Sequence, residues 1–178
     1  YDLGGRPLGE DESHGASFSL TNRVCCGSHL RPAPANRPTF LMTIDDLIEN
    51  FELFDDWDDR YAYLMELGSK MPELPEAERI EANRVKGCQA SVWLKESIQP
   101  GPPRRIDFLA DSNSQIVKGL IAMLRLLYSG KTPEEILAVD AKSVFQQLGL
   151  DRHLSPTRST GLNSMVKRIR TLATESNG

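Results

Sequence analysis

Residues 85–94 read VKGCQASVWL, which sets one cysteine between a glycine and a glutamine, just ahead of a strand-like run that holds a tryptophan. A thiol in that setting has two possible uses. As a thiolate, Cys88 is a reactive nucleophile; as a thiol it is a small hydrophobe, and unmodified cysteine is among the most buried residue types. Gly87 permits a turn geometry that other residues resist, which places Cys88 at a loop tip on the edge of a sheet. Arg84 and Lys86 stand close enough in sequence to favour the thiolate, although ordinary solvated bases would look the same.

Other chemistry is thinner. His153 is the single histidine in the part of the chain that carries folding signals, so a Cys/His pair would have to use it, while a lone histidine near a turn is more often structural. Asp107 and Asp111 can be imagined as paired carboxylates. Asp111, with Ser112 and Asn113, falls where a helix start needs a cap, and capping is the expected role. No stretch fits the glycine-rich phosphate loops. The three cysteines, two of them adjacent at Cys25 and Cys26, have neither C-x-x-C nor Cys/His ligand spacing, so neither a zinc site nor a disulfide framework is expected. A reducing compartment, the cytoplasm, fits that usage.

The elements that must position Cys88 follow from periodicity. Thr43 with Asp46 resembles a capping box, after which Ile44, Leu47, Ile48 and Phe51 recur at helical spacing. A second helix is expected from about Asp56 to Leu67, with Trp57, Tyr61, Leu64 and Met65 inward, and Pro72 and Pro75 then impose a loop. Ser91 to Ile98 and Arg104 to Leu109 read as two short strands around the turn sequence QPGPP. Trp93, within the first, is expected as a core anchor. Beyond Asp111, a wide apolar face (Ile116, Val117, Leu120, Ile121, Leu124, Leu127) predicts a central buried helix. A short helix starts at Thr132-Pro133-Glu134-Glu135, another spans Asp140 to Leu148, and a last one from about Thr160 buries Leu162, Met165, Val166, Ile169 and Leu172 while Lys167, Arg168 and Arg170 face water. This order implies an α+β fold, a small antiparallel sheet packed against helices.

Residues 1–41 hold scattered glycine, proline, serine and arginine without apolar periodicity, and read as a disordered or extended tail. The chain does not begin with Met and Met42 directly precedes a helix signature, so this tail is read as upstream sequence, its place in the native protein left open. Residues 42–175 form the expected domain, and 176–178 a short C-terminal tail. With 39% apolar and 26% charged residues among 178, the composition is ordinary for a globular domain. The longest uncharged, mostly apolar stretch, GLIAML, is far short of the roughly 20 residues a bilayer span needs, so no membrane association is expected. A net charge of -4 argues against general nucleic-acid affinity. The charge is uneven, with 13 acids and 3 bases over residues 42–82 but 14 bases and 8 acids over 83–178. Such asymmetry either steers a partner protein or simply complements itself on folding.

Three strings together carry a resemblance: VKGCQASVWL, then LADSNSQIVKGLIAMLRLLYSGKTPEEI, then LGLDRHLSPTRSTGL, with WDDRYAYLMELGSKMPELP upstream. In order and with small gaps, from about Ile44 to Ala173, they resemble the SufE family of cysteine-desulfuration proteins, including its CsdE branch. The resemblance implies a fold shared with IscU-type scaffolds, without their metal-binding cysteines. It implies a sulfur acceptor that takes persulfide sulfur from a pyridoxal-phosphate-dependent cysteine desulfurase of the SufS or CsdA type. Such an acceptor stimulates that enzyme and passes sulfur to iron-sulfur cluster assembly, with a SufBCD-type scaffold as recipient and no cofactor of its own. The acceptor cysteine aligns with Cys88. Arg158, in HLSPTRSTGL, matches an arginine of the family pattern, for which a thiolate contact, a partner contact and a structural salt bridge are all open. Gln89 is a candidate to hold the loop by hydrogen bonds. Asn113 and Thr160 depart from the family pattern, and Asn113 removes a charge near the loop. The chemistry of the residues agrees: transpersulfuration needs one accessible nucleophile and no metal, and a nearby resolving cysteine would expel the sulfur. An alternative reading is a non-catalytic interaction module in which Cys88 only packs, and a further rival is an independent cysteine hydrolase using Cys88 with His153.

Overall fold

The computed structural model describes residues 42–99 and 101–176, so the expected tail, with Cys25 and Cys26, lies outside the described residues. Helix α1 (Ile44–Glu52) begins with the expected capping box: Thr43 Oγ1 accepts from the Asp46 amide at 3.2 Å, and Asp46 Oδ2 accepts from the Thr43 amide at 2.7 Å. Helix α2 (Trp57–Ser69) is capped by Asp56, whose Oδ1 accepts from the Asp59 amide. The proline-rich segment that follows forms only two 3₁₀ turns, Glu76–Glu78 and Glu81–Asn83. Strands β1 (Val92–Gln99) and β2 (Arg105–Ser112) pair antiparallel, from Val92 opposite Ser112 to Gln99 opposite Arg105. Five α-helices complete the order: α3 (Gln115–Tyr128), α4 (Pro133–Ala138), α5 (Ala141–Gln147), α6 (Leu150–His153) and α7 (Pro156–Ser176).

The fold is α+β, a two-stranded antiparallel sheet packed on helices. Helix α3 is its axis. Its buried residues run right around the helix, from Ile116 to Tyr128, and α1, α2, β2 and α7 all pack on it. The two strands present Val92, Leu94, Ile106, Phe108 and Ala110 to this core, the alternation expected of a sheet wet on one face. At α2, two glycines let backbones meet: a methyl on Gly68 would stand 2.6 Å from the Gly119 nitrogen, and one on Gly119 would overlap the Leu64 carbonyl. No helix among the described residues is long and apolar enough to cross a membrane.

Five expectations need correction. Trp93 is not a core anchor: it points to the outer face of β1 opposite Asp111, half-buried, because the inward positions belong to its neighbours Val92 and Leu94. Asp111 does not cap a helix. It belongs to β2, which runs three residues beyond the expected end, is only 6% exposed, and binds Arg79 at 2.6 Å and Lys118 at 3.0 Å. Two long cations reaching in from a 3₁₀ turn and from α3 are what keep a strand carboxylate satisfied there. Met65 is exposed rather than inward, since α2 turns Leu64, Leu67 and Gly68 to α3 instead. Finally, α7 begins at Pro156, earlier than the apolar periodicity suggests, because Ser155 and Pro156 supply a cap and a first-turn proline: Ser155 Oγ accepts from the Arg158 amide at 3.4 Å. Within that helix Arg168 and Arg170 are both half-buried, and Arg170 donates to the Val139 carbonyl, so of the three expected wet-face bases only Lys167 is exposed.

The glycine contact gives a stability prediction. Gly119→Ala gains helix propensity of about 1 kcal/mol but forces α2 and α3 apart, at an overpacking cost of roughly 1–3 kcal/mol or more. Urea unfolding should show a net loss, and a variant as stable as the parent would refute the close approach.

Candidate functional site

The six residues from Lys86 to Ser91 form a loop whose base is closed before β1 begins. The Val85 amide donates to the Val92 carbonyl at 2.9 Å, so the chain entering the loop runs back along the strand that leaves it. The exit is tied to the end of β2: Ser112 Oγ donates to the Ser91 carbonyl at 2.9 Å, and Asn113 Oδ1 accepts from the Ser91 amide at 3.1 Å. The Asn113 amide also donates to the Ser91 carbonyl. An asparagine side chain keeps the acceptor oxygen an aspartate would offer, so the loss of a charge here does not loosen the exit.

Between these two ties the loop folds down onto α7. Gly87 adopts φ +89°, a left-handed conformation that a residue with a Cβ resists, and a methyl there would meet Ser164 Oγ at 2.7 Å. One turn earlier on α7, Gly161 receives the cysteine: Cys88 Sγ lies 3.4 Å from the Gly161 carbonyl oxygen, in reach of a weak S–H···O bond. Cys88 is half-buried and is the one free cysteine among the described residues. It borders a cavity of about 510 Å³ whose apolar wall comes from Ala90, Val92, Val117, Leu120 and Met165, and whose polar side includes Asn113 and Arg158. That volume exceeds what one added sulfur atom needs.

Burial pushes the Cys88 thiol above its ordinary value, and no neighbouring charge offsets it. Arg84 and Lys86 therefore do not activate the resting thiol. Arg84 instead pairs with Glu81 at 3.4 Å, and Lys86 is exposed. Gln89, also exposed, makes none of the side-chain hydrogen bonds found among the described residues; the ties at Ser91 do that work, and the sequence signal for them was the Asp-Ser-Asn run at 111–113. His153 does not line the Cys88 cavity. Its ring stacks on Trp57 with centroids 3.8 Å apart, and its carbonyl accepts from the Tyr61 hydroxyl, a structural role. Asp107 and Asp111, on the outer face of β2, are both taken up by cations, Asp107 by Arg125 at 3.5 Å.

Arg158 is placed differently from all of these. It faces the Cys88 cavity from the first turn of α7, is exposed, and forms no salt bridge among the described residues. A cation at a helix N-terminus opposes the macrodipole, so helix stability gives no reason for it. The site thus brings together Cys88, Gly161, the Ser91 ties and Arg158, leaving His153 and the aspartate pair outside. Gly161 and Ser164 carried no signal in the sequence, because a helical glycine is read as a cost until its neighbour is known.

Known proteins give this geometry its context. The sequence profile of the SufE family, described as an Fe-S metabolism associated domain, matches residues 45–173. An uncharacterized SufE-like protein of Rhizobium etli is 45% identical over 138 residues, covering 77% of this chain and 93% of its own. Another, of Rhizobium meliloti, is 39% identical over 134 residues, covering 75% and 96%. The solution structure of a hypothetical protein from Thermus thermophilus superposes with a TM-score of 0.60 at 22% identity, covering 75% of this chain and 97% of its own, a likeness of fold. With a family match over nearly all the described residues and relatives that share about two-fifths of their sequence or more, this chain belongs to the SufE family and is associated with iron-sulfur metabolism.

Proposed function

We propose that residues 42–175 form a sulfur-acceptor domain in which Cys88 takes the outer sulfur of a persulfide on a cysteine desulfurase and hands it on to iron-sulfur cluster assembly. The observation that carries this reading is the position of the thiol: a single cysteine on a glycine-hinged loop, resting over a cavity with room for one more sulfur. In the transfer, the Cys88 thiolate attacks the outer sulfur of the donor persulfide. The new S–S bond forms as the old one breaks, the donor cysteine leaves as its thiolate, and no net oxidation or reduction occurs. Handing on repeats the same step with Cys88 as leaving group. The pyridoxal chemistry that first frees the sulfur belongs to the partner enzyme.

Two states of the loop are needed. Docked, the thiol is held protonated and partly shielded from water, which protects a persulfide but makes a poor nucleophile. Released, it recovers ordinary thiol acidity and can reach into a partner's site. Binding of the desulfurase selects the released state, and Arg158, with Lys86 and Arg84 beside the loop, supplies a positive rim for that encounter.

The direct test is intact-protein mass after mixing the chain with a cysteine desulfurase, pyridoxal phosphate and cysteine. A gain of about 32 Da per sulfur atom, reversed by reductant, is expected in the parent and should be missing in a Cys88→Ser variant. No gain with desulfurases of proven activity would leave the interaction module, in which Cys88 only packs.

The thiol also predicts a pH dependence. A thiol whose acidity is suppressed in the docked loop binds its proton more tightly there than in the released loop, so raising pH through the ordinary thiol range favours release. Alkylation of Cys88 should accordingly be slower than that of free cysteine at neutral pH, with a profile displaced upward, and urea should abolish the difference. Equal rates in the folded protein would show the thiol to be unprotected.

A third outcome concerns the encounter. Raising ionic strength from about 0.01 M to 0.15 M shortens the screening length from about 30 Å to 8 Å, and should slow association with the desulfurase. Arg158→Ala should blunt that salt dependence while leaving the melting temperature unchanged or slightly raised. Association indifferent to salt would remove the electrostatic role.

A further inference from the structure

We propose that Gly161 is the positioning residue for Cys88: the missing side chain on α7 sets how deeply the thiol docks, and thereby how unreactive the resting loop is. This rests on the reading of Cys88 as the working nucleophile.

Gly161 lies inside a helix of 21 residues that continues without interruption on both sides of it. Glycine there costs helix stability relative to alanine, so some other constraint must hold it. A hinge is not the reason, since the helix runs straight through. Contact between helices is not the reason either: the three nearest atoms that a methyl at this position would meet are Cys88 Sγ at 3.3 Å, Cys88 Cβ at 3.7 Å and Cys88 Cα at 3.8 Å. All three belong to one residue on the loop. By contrast, a methyl at Gly68 or Gly119 would meet backbone of a neighbouring helix.

The same residue provides the partner for the docked thiol, whose Sγ lies 3.4 Å from the Gly161 carbonyl. One turn on, Ser164 faces Gly87 in the same way, so loop and helix meet through two glycines, one on each side. A methyl at 161 at 3.3 Å from Sγ is tighter than packed atoms normally tolerate, yet not a collision with rigid backbone. The atom that must yield is the sulfur, which sits on a short side chain at the tip of a loop whose stronger ties are at its ends. Gly161→Ala is therefore expected to leave the helix intact and to lift Cys88 outward. The burial that suppresses thiol acidity then falls.

The test needs no sulfur donor. Iodoacetamide alkylation of the full chain and of Gly161→Ala, followed at the Cys88 peptide across pH, should show a rate several-fold higher in the variant at neutral pH, with its profile moved down toward that of free cysteine. A structural role alone would leave that profile in place. Thermal unfolding completes the measurement: in a Cys88→Ala background, Gly161→Ala should raise the melting temperature, and by more than it does with Cys88 present. An unchanged alkylation profile in a folded variant overturns the proposal, as does a melting temperature that falls in the Cys88→Ala background. Either result leaves the sulfur-acceptor reading standing, since that reading is judged by the mass gain from a desulfurase. Absence of the mass gain would in turn leave the alkylation comparison valid as a statement about the thiol.

Discussion

Helices α2 and α3 approach each other through Gly68 and Gly119, closely enough that neither position has room for a methyl group. Because α2 covers one flank of α3 with so little intervening side chain, the other flanks remain for the sheet and for α7, and α3 ends buried nearly all round. The arrangement of the site descends from this. The end of β2 meets the start of α3 where Ser112 and Asn113 reach back to Ser91, and α7 lies across the same end of α3. The Cys88 loop is the segment caught between them. Its cavity is walled by α3 through Val117 and Leu120, by β1 through Val92, and by α7 through Met165.

Charge on the outer face of the sheet is managed separately. Asp111 and Asp107 lie on the outer face of β2, where Arg79, Lys118 and Arg125 cover and neutralise them. These pairs fix the 3₁₀ turn before the loop and the start of α3 to the strand, so the flanks of the loop are set by partly buried ion pairs while its tip is set by packing. Arg158 belongs to neither system. It has no carboxylate partner among the described residues, and it stands at a helix end where a cation is unwelcome.

The thiol sits at the centre of an opposition between protection and reactivity. Apolar burial shields a thiol from water and also weakens it as a nucleophile. A fixed site has to compromise between the two; a loop with firm ends and a glycine-lined seat can alternate. Weak S–H···O bonding and close packing, rather than a salt bridge, hold Cys88 against α7.

Much of this was legible in the amino-acid order itself. The 3.6-residue periodicity of α3, the capping boxes at Thr43 and Thr132, the hairpin around its proline-rich turn and the singular cysteine after a glycine are local signals, and local signals survive being read one segment at a time. What stayed hidden depends on which residues meet. Trp93 could be inward or outward until the register of β1 put Val92 and Leu94 on the core side. Asp111 could be a cap until Arg79, 32 positions earlier, arrived beside it. Gly161 had no meaning until Cys88, 73 positions earlier, was laid against it. Sequence by itself determined the kind and order of most elements and the presence of one thiol at the head of β1, because helix propensity, turn chemistry and residue type are properties of residues and their near neighbours. Only the tertiary structure decided that this thiol rests partly covered, its acidity suppressed, because desolvation and steric fit belong to pairs of surfaces that exist only once the chain has folded.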